Sequence, residues 1–453
     1  MQLFNGGLKE IFEGGIKGKK IRFIGIGGVG VNALAKYCLT CGAKVSGSDR
    51  KINDLCKEII ALGGDVYEGE DPNFDADTDA VVFSSAINAD NKELVRAKDL
   101  GIKTYERHEF LRLIACEYDK VVGIAGSHGK TTVTAMLTHI LKCANKNFVS
   151  MIGGEAIKYS NFVNNTGDGD AIFVTEACEY RRHMLTLDAD VAVVLNTDWD
   201  HPDSYPDALS VKQAFKEFLD KAKTKVAEGN KDNSVAVTGD NQIVFEYEKE
   251  SGGARVFADG ELVGNISDKE QGDYNLKNAL FAIATASVLG VRPQTAVKAI
   301  NTFEGVKRRF EKVGDLDGKP IIFDFAHHPT EIKNLLERAN NMGRLLVVFQ
   351  PHTYSRTKAY MNDFAEVFAD DKNGVETLII CPTYAAREAL DATATSDILA
   401  DAILSKNAEK RVYIAESAVS TIEFVNMMIK RHDAVLFVGA GDIYELKKYF
   451  VES

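Results

Sequence analysis

The sequence predicts an α/β protein of three domains: a Rossmann-like N-terminal domain over residues 1–118, a central P-loop ATPase-type domain over 119–305 and a Rossmann-like C-terminal domain over 306–453. Three observations carry that prediction. A glycine turn, Gly25-x-Gly27-Gly28-x-Gly30, joins an apolar strand to a helix; a second strand-to-helix turn, Gly126-Ser-His-Gly-Lys-Thr-Thr132, follows; and from Ile321 onward apolar strands alternate with helical stretches. The 453 residues suit roughly three domains of about 150 residues each. Apolar residues make up 45% of the chain, yet no stretch approaches the ~18 uninterrupted apolar residues of a membrane span. The formal charge of −12 is spread without long like-charge blocks, so neither nucleic acid nor a membrane surface is an expected partner. Met1-Gln2-Leu3-Phe4-Asn5 lacks the basic start and apolar middle of an export signal, and a cytoplasmic location is expected. Seven cysteines without metal-ligand spacing read as buried reduced thiols, among them Cys38, Cys41 and Cys143, and structural zinc is not expected.

In the first domain Lys20 to Ile26 reads as a strand, Val31 to Leu39 as a helix, and Ala43 to Ser46 as a second strand leading to Asp49. In such a βαβ unit the glycines let main chain approach a diphosphate, and the acid about 20 positions on is placed for a ribose hydroxyl. Gly27, Gly28, Val29, Gly30 and Asp49 are therefore candidate ligand contacts, with NAD, another dinucleotide or a sugar nucleotide all compatible. Ala80 to Phe83 is a later strand running into Ser84-Ser-Ala-Ile87, where Ser84 and Ser85 belong either to a turn or to a binding loop. The domain closes near Glu117 to Lys120.

In the second, an apolar run ending at Ala125 reads as a buried strand and Lys130-Thr131-Thr132 as the opening of a helix. N–H groups at a helix start lack intrahelical partners and lie at the positive end of the helix dipole, so Gly126, Ser127, His128, Gly129 and Thr132 form a candidate polyphosphate cradle. Lys130 is placed for the β/γ-phosphates and Thr131 for Mg2+. In the standard P-loop spacing the first glycine falls on Ile124, one residue after Gly123, which leaves an ordinary glycine turn as the alternative to an ATP or GTP site. Strands Ala171 to Glu176 and Val191 to Asn196 deliver Glu176 and, after Asp198-Trp-Asp200, His201; both are candidate Mg2+ ligands with Thr131. Farther on, a helix is expected from Asn278 to Leu289, and Asn275 and Asn278 lie about one turn apart, so they can address one ligand unless Asn275 caps the helix.

Val306-Lys-Arg-Arg-Phe-Glu311 opens the third domain. Its strands, Ile321 to Phe323, Leu345 to Phe349, Leu378 to Cys381 and Ala434 to Val438, alternate with helices Thr330 to Asn340, Lys358 to Ala369 and Ile443 to Val451. Three polar clusters, Asp324 to Glu331, Gln350 to Thr357 and Pro382 to Tyr384, fall at the strand ends where such a sheet binds ligands. Thr330 reads as a helix cap.

Taken together, Gly25-Ile-Gly-Gly-Val-Gly30, Ser46-Gly-Ser-Asp49, Ser84-Ser-Ala-Ile87, Gly126-Ser-His-Gly-Lys-Thr-Thr132, Glu176-Ala-Cys-Glu-Tyr-Arg-Arg-His183, Asp200-His-Pro-Asp203, Arg308-Arg-Phe310, His327-His-Pro-Thr-Glu331 and Phe349-Gln-Pro-His352 give a chain that resembles the Mur ligases over essentially its whole length. The last two strings resemble the alanine-adding branch and its close relatives. The resemblance implies that the first glycine turn holds a UDP-sugar, and that ATP with Mg2+ phosphorylates the lactyl carboxylate of UDP-N-acetylmuramate. The amine of L-alanine then attacks the acyl phosphate and phosphate leaves. It also implies roles. Lys130, Mg2+ on Thr131, Glu176 and His201, and Arg308 or Arg309 neutralise the transferred phosphoryl; Asn275, Asn278, Arg309 and Asp324 lie toward ATP; Arg107 and His183 join Asp49, Ser84 and Ser85 toward the UDP-sugar. His328 and His352 are implied as catalytic, and Arg356, with Tyr384 nearby, as a bidentate clamp on the alanine carboxylate. Tyr274, Thr353 and Phe325-Ala326 depart from many relatives, and Phe215-Lys216-Glu217-Phe218 gives no secure match to the carbamylated lysine that some Mur ligases carry. A monomer or homodimer is expected. Two competing readings are a recycling ligase that adds a preformed peptide and an NAD-dependent oxidoreductase built on Gly25 to Gly30.

Overall fold

Buried apolar runs separated by amphipathic helices pair into three separate sheets. The computed structural model describes residues 7–200, 204–240, 242–267, 272–386 and 388–450. The first sheet consists of β1 (Lys20–Ile24), β2 (Lys44–Asp49), β3 (Asp65–Glu68), β4 (Ala80–Phe83) and β5 (Lys103–Glu106), all parallel in the order β3-β2-β1-β4-β5. Strand order reverses between β1 and β4, and such a switch point opens a crevice at the strands' carboxyl ends. The turn after β1 and the loop at Ser84 after β4 lie there. β2 runs beyond the expected Ser46 to Asp49 because its ladder with β1 continues to Ser48.

The second sheet follows with β6 (Lys120–Ala125), β7 (Lys146–Met151), β8 (Phe162–Asn165), β9 (Asp168–Glu176), β10 (Val191–Val194), β11 (Thr224–Glu228), β12 (Ser234–Thr238), β13 (Ile243–Glu250), β14 (Gly253–Ala258) and β15 (Glu261–Ser267). Their order is β15-β14-β13-β12-β11-β10-β6-β9-β7-β8, with a parallel centre from β11 to β7. The antiparallel meander β12 to β15 is an addition the sequence reading missed; its strands mix apolar with charged residues, as half-exposed hairpins do. The helix expected from Asn278 spans Gly272–Val288 instead, so Asn275 lies inside it and does not cap it.

β16 (Glu311–Leu316) and β17 (Lys319–Asp324) form a hairpin at the edge of the third sheet, whose remaining strands β18 (Leu345–Phe349), β19 (Val375–Ile380), β20 (Arg411–Ile414) and β21 (Ala434–Val438) are parallel in the order β16-β17-β21-β18-β19-β20. The helix expected over 358–369 is two pieces, Tyr354–Ala359 and Met361–Ala369, which meet at Tyr360, and the one expected over 443–451 is a run of tight turns, Asp442–Tyr449. The cap of Pro329–Ala339 is His328, not Thr330: the His328 Nδ1 accepts the Thr330 N–H at 3.3 Å.

The chain packs as two compact units, one reaching Ser267 and including Leu276–Glu304, the other taking the segment that ends at Asn275 together with Gly305 onward. The expected boundary at 118/119 separates two sheets but not two packing units, because one apolar core runs from Phe23 and Phe110 through Phe173 to Phe215. The third sheet has its own core around Phe323, Val348 and Phe437. All seven cysteines are free: Cys38 is buried as expected, Cys41 is half-buried, and Cys143, at the last position of the helix Lys130–Cys143, is exposed. No described helix is long and apolar enough to cross a membrane.

Candidate active site

At the first switch point the glycine turn is held by the acid that the sequence placed beside a ribose. Gly27 N–H donates to Asp49 Oδ2 at 2.9 Å, Asn53 Nδ2 donates to the Gly27 carbonyl at 3.0 Å, and a Cβ on Gly27 would meet both side chains. Gly25 takes φ +78°, a conformation that favours glycine, and Gly28 caps the helix that begins at Val29. A Cβ on Gly30 would lie 2.9 Å from Arg107 Cδ, so Arg107 packs directly over the turn. Ser84 is half-buried beside Gly25, whereas Ser85 is exposed. Asp49, Gly27, Gly28, Val29, Gly30, Ser84 and Arg107 thus gather at one crevice. His183 stacks against His108, within electrostatic reach of Arg107.

The second turn is shorter than a standard P-loop and is fixed by its own glycines. Gly126 (φ +143°) and Gly129 (φ +87°) bracket Ser127 and His128, and a Cβ on Gly126 would stand 3.0 Å from Leu195. Gly123 belongs to β6, where a Cβ would strike Phe218, so it has a packing role and not a loop role. The chain after β10 braces the loop: Asn196 Oδ1 accepts the His128 N–H at 3.0 Å, Asn196 Nδ2 donates to the His128 carbonyl at 3.0 Å, and Ser127 Oγ donates to the Asp198 carbonyl at 2.5 Å. Lys130, Thr131 and Thr132 open the helix that leaves the loop. Lys130 Nζ reaches back to the Gly126 and Ser127 carbonyls and pairs with Glu179 Oε2 at 2.8 Å. Burial pushes the Lys130 pKa down, but the combined pull of Glu179, Cys178 and Glu176 outweighs it and the net shift is upward, so the ammonium stays charged.

Glu176 ends β9, next to β6 in the sheet, and its Oε1 accepts the Gly153 N–H at 2.6 Å; a Cβ on Gly153 would lie 2.5 Å from Oε2. The hard oxygen donors of Thr131 and Glu176, beside a helix N-terminus with open N–H groups, fit Mg2+ carrying a polyphosphate. His201 lies outside the described residues. Glu179 and Asn196 are the residues that sequence reasoning missed. Glu179 stands three positions after Glu176, but nothing in that spacing says that the chain turns back to the loop lysine.

In the second unit, Asp324 receives the Phe310 and Ala326 N–H groups at 2.7 Å each, which pins the turn where Arg308 (φ +60°) and Phe310 (φ +53°) sit left-handed. Both of these donors are main chain, and burial raises the Asp324 pKa. Arg308 is tied to the Gly439 and Gly441 carbonyls and to the faces of Phe325 and Tyr444, while Arg309 contacts Glu331 and Phe325. The ring of His352 lies 5.5 Å from that of His327 and stacks on Tyr384 at 5.6 Å, its backbone paired with Tyr384. Arg356 is 8% exposed in the short helix Tyr354–Ala359, whose cap Thr353 takes φ +64° and accepts the Arg356 N–H. A β-branched residue at positive φ is strained, a condition that marks functional loops. His328 packs edge-on against Tyr360 while capping its helix, which gives it a structural occupation in addition to the implied catalytic one. Asn275 is half-buried and Asn278 buried, one turn apart on one helix.

Three family models cover most of the chain: "Mur ligase family, catalytic domain" over residues 20–119, "Mur ligase middle domain" over 124–286 and "Mur ligase, glutamate ligase domain" over 308–441. The chain is 35% identical over 459 aligned positions to the UDP-N-acetylmuramate–L-alanine ligase of Clostridium novyi, covering 96% of this chain and 98% of that protein. Among solved structures it is similar to UDP-N-acetylmuramate-alanine ligase from Thermotoga maritima (TM-score 0.75, 24% identity, 95% of this chain and 98% of that one). It is also similar to a murein peptide ligase from Psychrobacter arcticus (TM-score 0.66, 20% identity, with the same two coverages). The three-domain Mur ligase fold and these α/β sheets agree with the fold class expected from the sequence.

Proposed function

Because the chain belongs to the Mur ligase family, we propose that it joins L-alanine to the lactyl carboxylate of UDP-N-acetylmuramate at the expense of ATP, in the cytoplasmic synthesis of a peptidoglycan precursor. Near-full-length similarity to a ligase of that name carries the reading, and the loop around Lys130 supports it. On this reading residues 1–118 hold the UDP-sugar at Gly27, Gly28, Val29, Gly30 and Ser84, with Asp49 shaping the turn and Arg107 lying over it. Residues 119–305 hold ATP at Gly126 to Thr132, with Asn275 and Asn278, and residues 306–453 contribute Arg309 and the acceptor site.

The lactyl carboxylate oxygen bonds to the γ-phosphorus as the bond to the ADP oxygen breaks, giving ADP and an acyl phosphate. Lys130 exchanges Glu179 for phosphate oxygens and, with Arg309, offsets the charge on the transferred phosphoryl. Thr131 and Glu176 would hold Mg2+, which would supply further charge neutralisation at the phosphates. The alanine amine then bonds to the acyl carbon; the nitrogen loses a proton, for which His352 is the candidate acceptor, and inorganic phosphate departs. Arg356 holds the alanine carboxylate. The oxidoreductase reading leaves Lys130, Thr131 and Glu176 without work, and the acid it assigns to ribose is bonded to Gly27.

Phosphate release with ATP, Mg2+ and UDP-N-acetylmuramate tests the proposal. Release should require L-alanine and not respond to a tripeptide; stimulation by the tripeptide alone would place the chain with the recycling ligases. The metal assignment has its own test. Glu176→Ala should raise the Mg2+ concentration for half-maximal rate by about 100-fold, and Gly153→Ala, which forces the Glu176 carboxylate aside, by about 10-fold. An unaltered magnesium titration in both variants would make Glu176 structural.

A further inference from the structure

Away from the loop lysine, three side chains with metal-binding atoms meet inside the first unit, and the ligation mechanism does not use the trio. Glu106 ends β5 and caps the helix Arg107–Ala115, His108 lies in that helix's first turn, and His183 comes from the tight turns Tyr180–Thr186. One donor atom from each lies within 4.8 Å of the other two. Glu106 Oε1 is 3.5 Å from His108 Nδ1 and 3.7 Å from His183 Nε2. Ligand atoms around one tetrahedral zinc ion, with bonds of about 2.0–2.2 Å, stand about 3.3–3.5 Å apart, so these separations are nearly those of a shared ion. The second observation concerns hydrogen bonding. Glu106 Oε1 and His108 Nδ1 are both buried without a hydrogen bond, and His108 is only 8% exposed. Groups like these leave water only when a partner compensates.

Protonation agrees with ligation. Burial lowers the His108 pKa, and burial with His108, Arg107 and Arg181 nearby lowers that of His183 to about 4, so both rings are neutral near pH 7 and each offers a lone pair. Glu106 supplies the negative charge a dication needs beside Arg107. The two imidazoles lie nearly parallel, 3.9 Å apart at 9°. In-plane lone pairs therefore meet one ion only after a ring turns about its Cβ–Cγ bond, so binding should break the stack.

We propose that Glu106, His108 and His183 form a binding site for a divalent transition metal ion of the zinc class, separate from the Mg2+ site at Thr131 and Glu176. Two imidazoles and one carboxylate with a further position open to water suit Zn2+, Co2+ or Ni2+, and select against Mg2+, which favours oxygen donors. The ion would pin the 180–186 turns, where Arg181 and Arg182 sit at φ +48° and +62°, to the helix Arg107–Ala115. His183 is four residues from Glu179, so occupancy bears on the partner of Lys130.

The test uses the full chain. Zn2+ is dialysed against the protein in excess Mg2+ and counted, and Co2+ is added to metal-free protein to read its visible absorption. One Zn2+ per chain, a four- or five-coordinate Co2+ spectrum, and a thermal midpoint raised by Zn2+ are expected for the wild type. In His108→Gln and in His183→Gln the affinity should fall by at least about 10- to 100-fold, with the cobalt bands lost. No bound Zn2+ in the wild type, or binding unchanged in both variants, overturns the proposal. If a variant fails to fold, zinc-edge X-ray absorption of the wild type decides: two imidazoles and a carboxylate support the site, and one imidazole or none refutes it.

Discussion

Lys130→Ala should lower ligation about a thousandfold or more while UDP-N-acetylmuramate affinity stays within about twofold. The first figure is the scale lost when a cation on a transferred phosphoryl or oxyanion is removed; the second follows from the proposed sugar-nucleotide turn, Gly27 to Gly30 with Asp49, lying on a different sheet from Lys130. The substitution has a side effect that must be separated from the chemistry. Glu179 is 4% exposed and pairs with Lys130, so the alanine variant leaves a buried carboxylate uncompensated, a loss of about 3–5 kcal/mol for such pairs. Lys130→Ala combined with Glu179→Gln removes that penalty. The double variant should regain thermal stability but not activity, and calorimetric titration with UDP-N-acetylmuramate should give near wild-type affinity. A parallel fall in sugar-nucleotide affinity in the stable double variant would contradict the assignment of the two ligands to different sheets.

What the sequence reveals here is what local patterns encode. Apolar runs flanked by glycine turns locate β1, β6 and the helices after them, since turn, helix start and buried strand are all short-range features. Phe83, Glu176, Phe349 and Val438 are strand ends placed correctly for the same reason. Pairings formed across long separations are not encoded locally. The offset of Asp49 from the glycines fits a ribose ligand, yet its carboxylate meets Gly27 N–H. Glu179 pairs with a lysine 49 positions earlier, and Asn196 hydrogen-bonds a loop 68 positions away. The meander β12 to β15 was missed because half-exposed strands carry charged residues that dilute the alternating pattern. Thr330 looked like a cap by composition; the Pro329 that follows His328 fixes the helix start one residue sooner, and the histidine ring takes the capping role.

Arg356→Ala should raise the apparent KM for alanine by about 10- to 1000-fold while acyl phosphate formation survives, because losing a charged hydrogen-bonding partner is worth roughly 1.5–3 kcal/mol or somewhat more. The local structure favours a bound anion over a solvated surface pair. Arg356 is 8% exposed, whereas the ion pairs that contribute only about 0–1 kcal/mol are exposed ones. Its helix starts at Thr353, whose φ of +64° holds the turn in a strained shape, and the Thr353 hydroxyl accepts the Arg356 N–H while the Thr353 carbonyl accepts the Thr357 hydroxyl. That turn joins His352, stacked on Tyr384, to Arg356, so one short segment presents a candidate proton acceptor and a candidate carboxylate clamp. Thr353→Gly would relieve the strain and loosen the segment, and should raise the alanine KM by a smaller factor than Arg356→Ala. Alanine-saturation kinetics, run beside borohydride trapping of the acyl phosphate, separates binding of the acceptor from the first chemical step. An unchanged alanine KM in Arg356→Ala, or disappearance of the trapped intermediate, would show that this arginine serves the phosphoryl transfer or the fold instead of the acceptor.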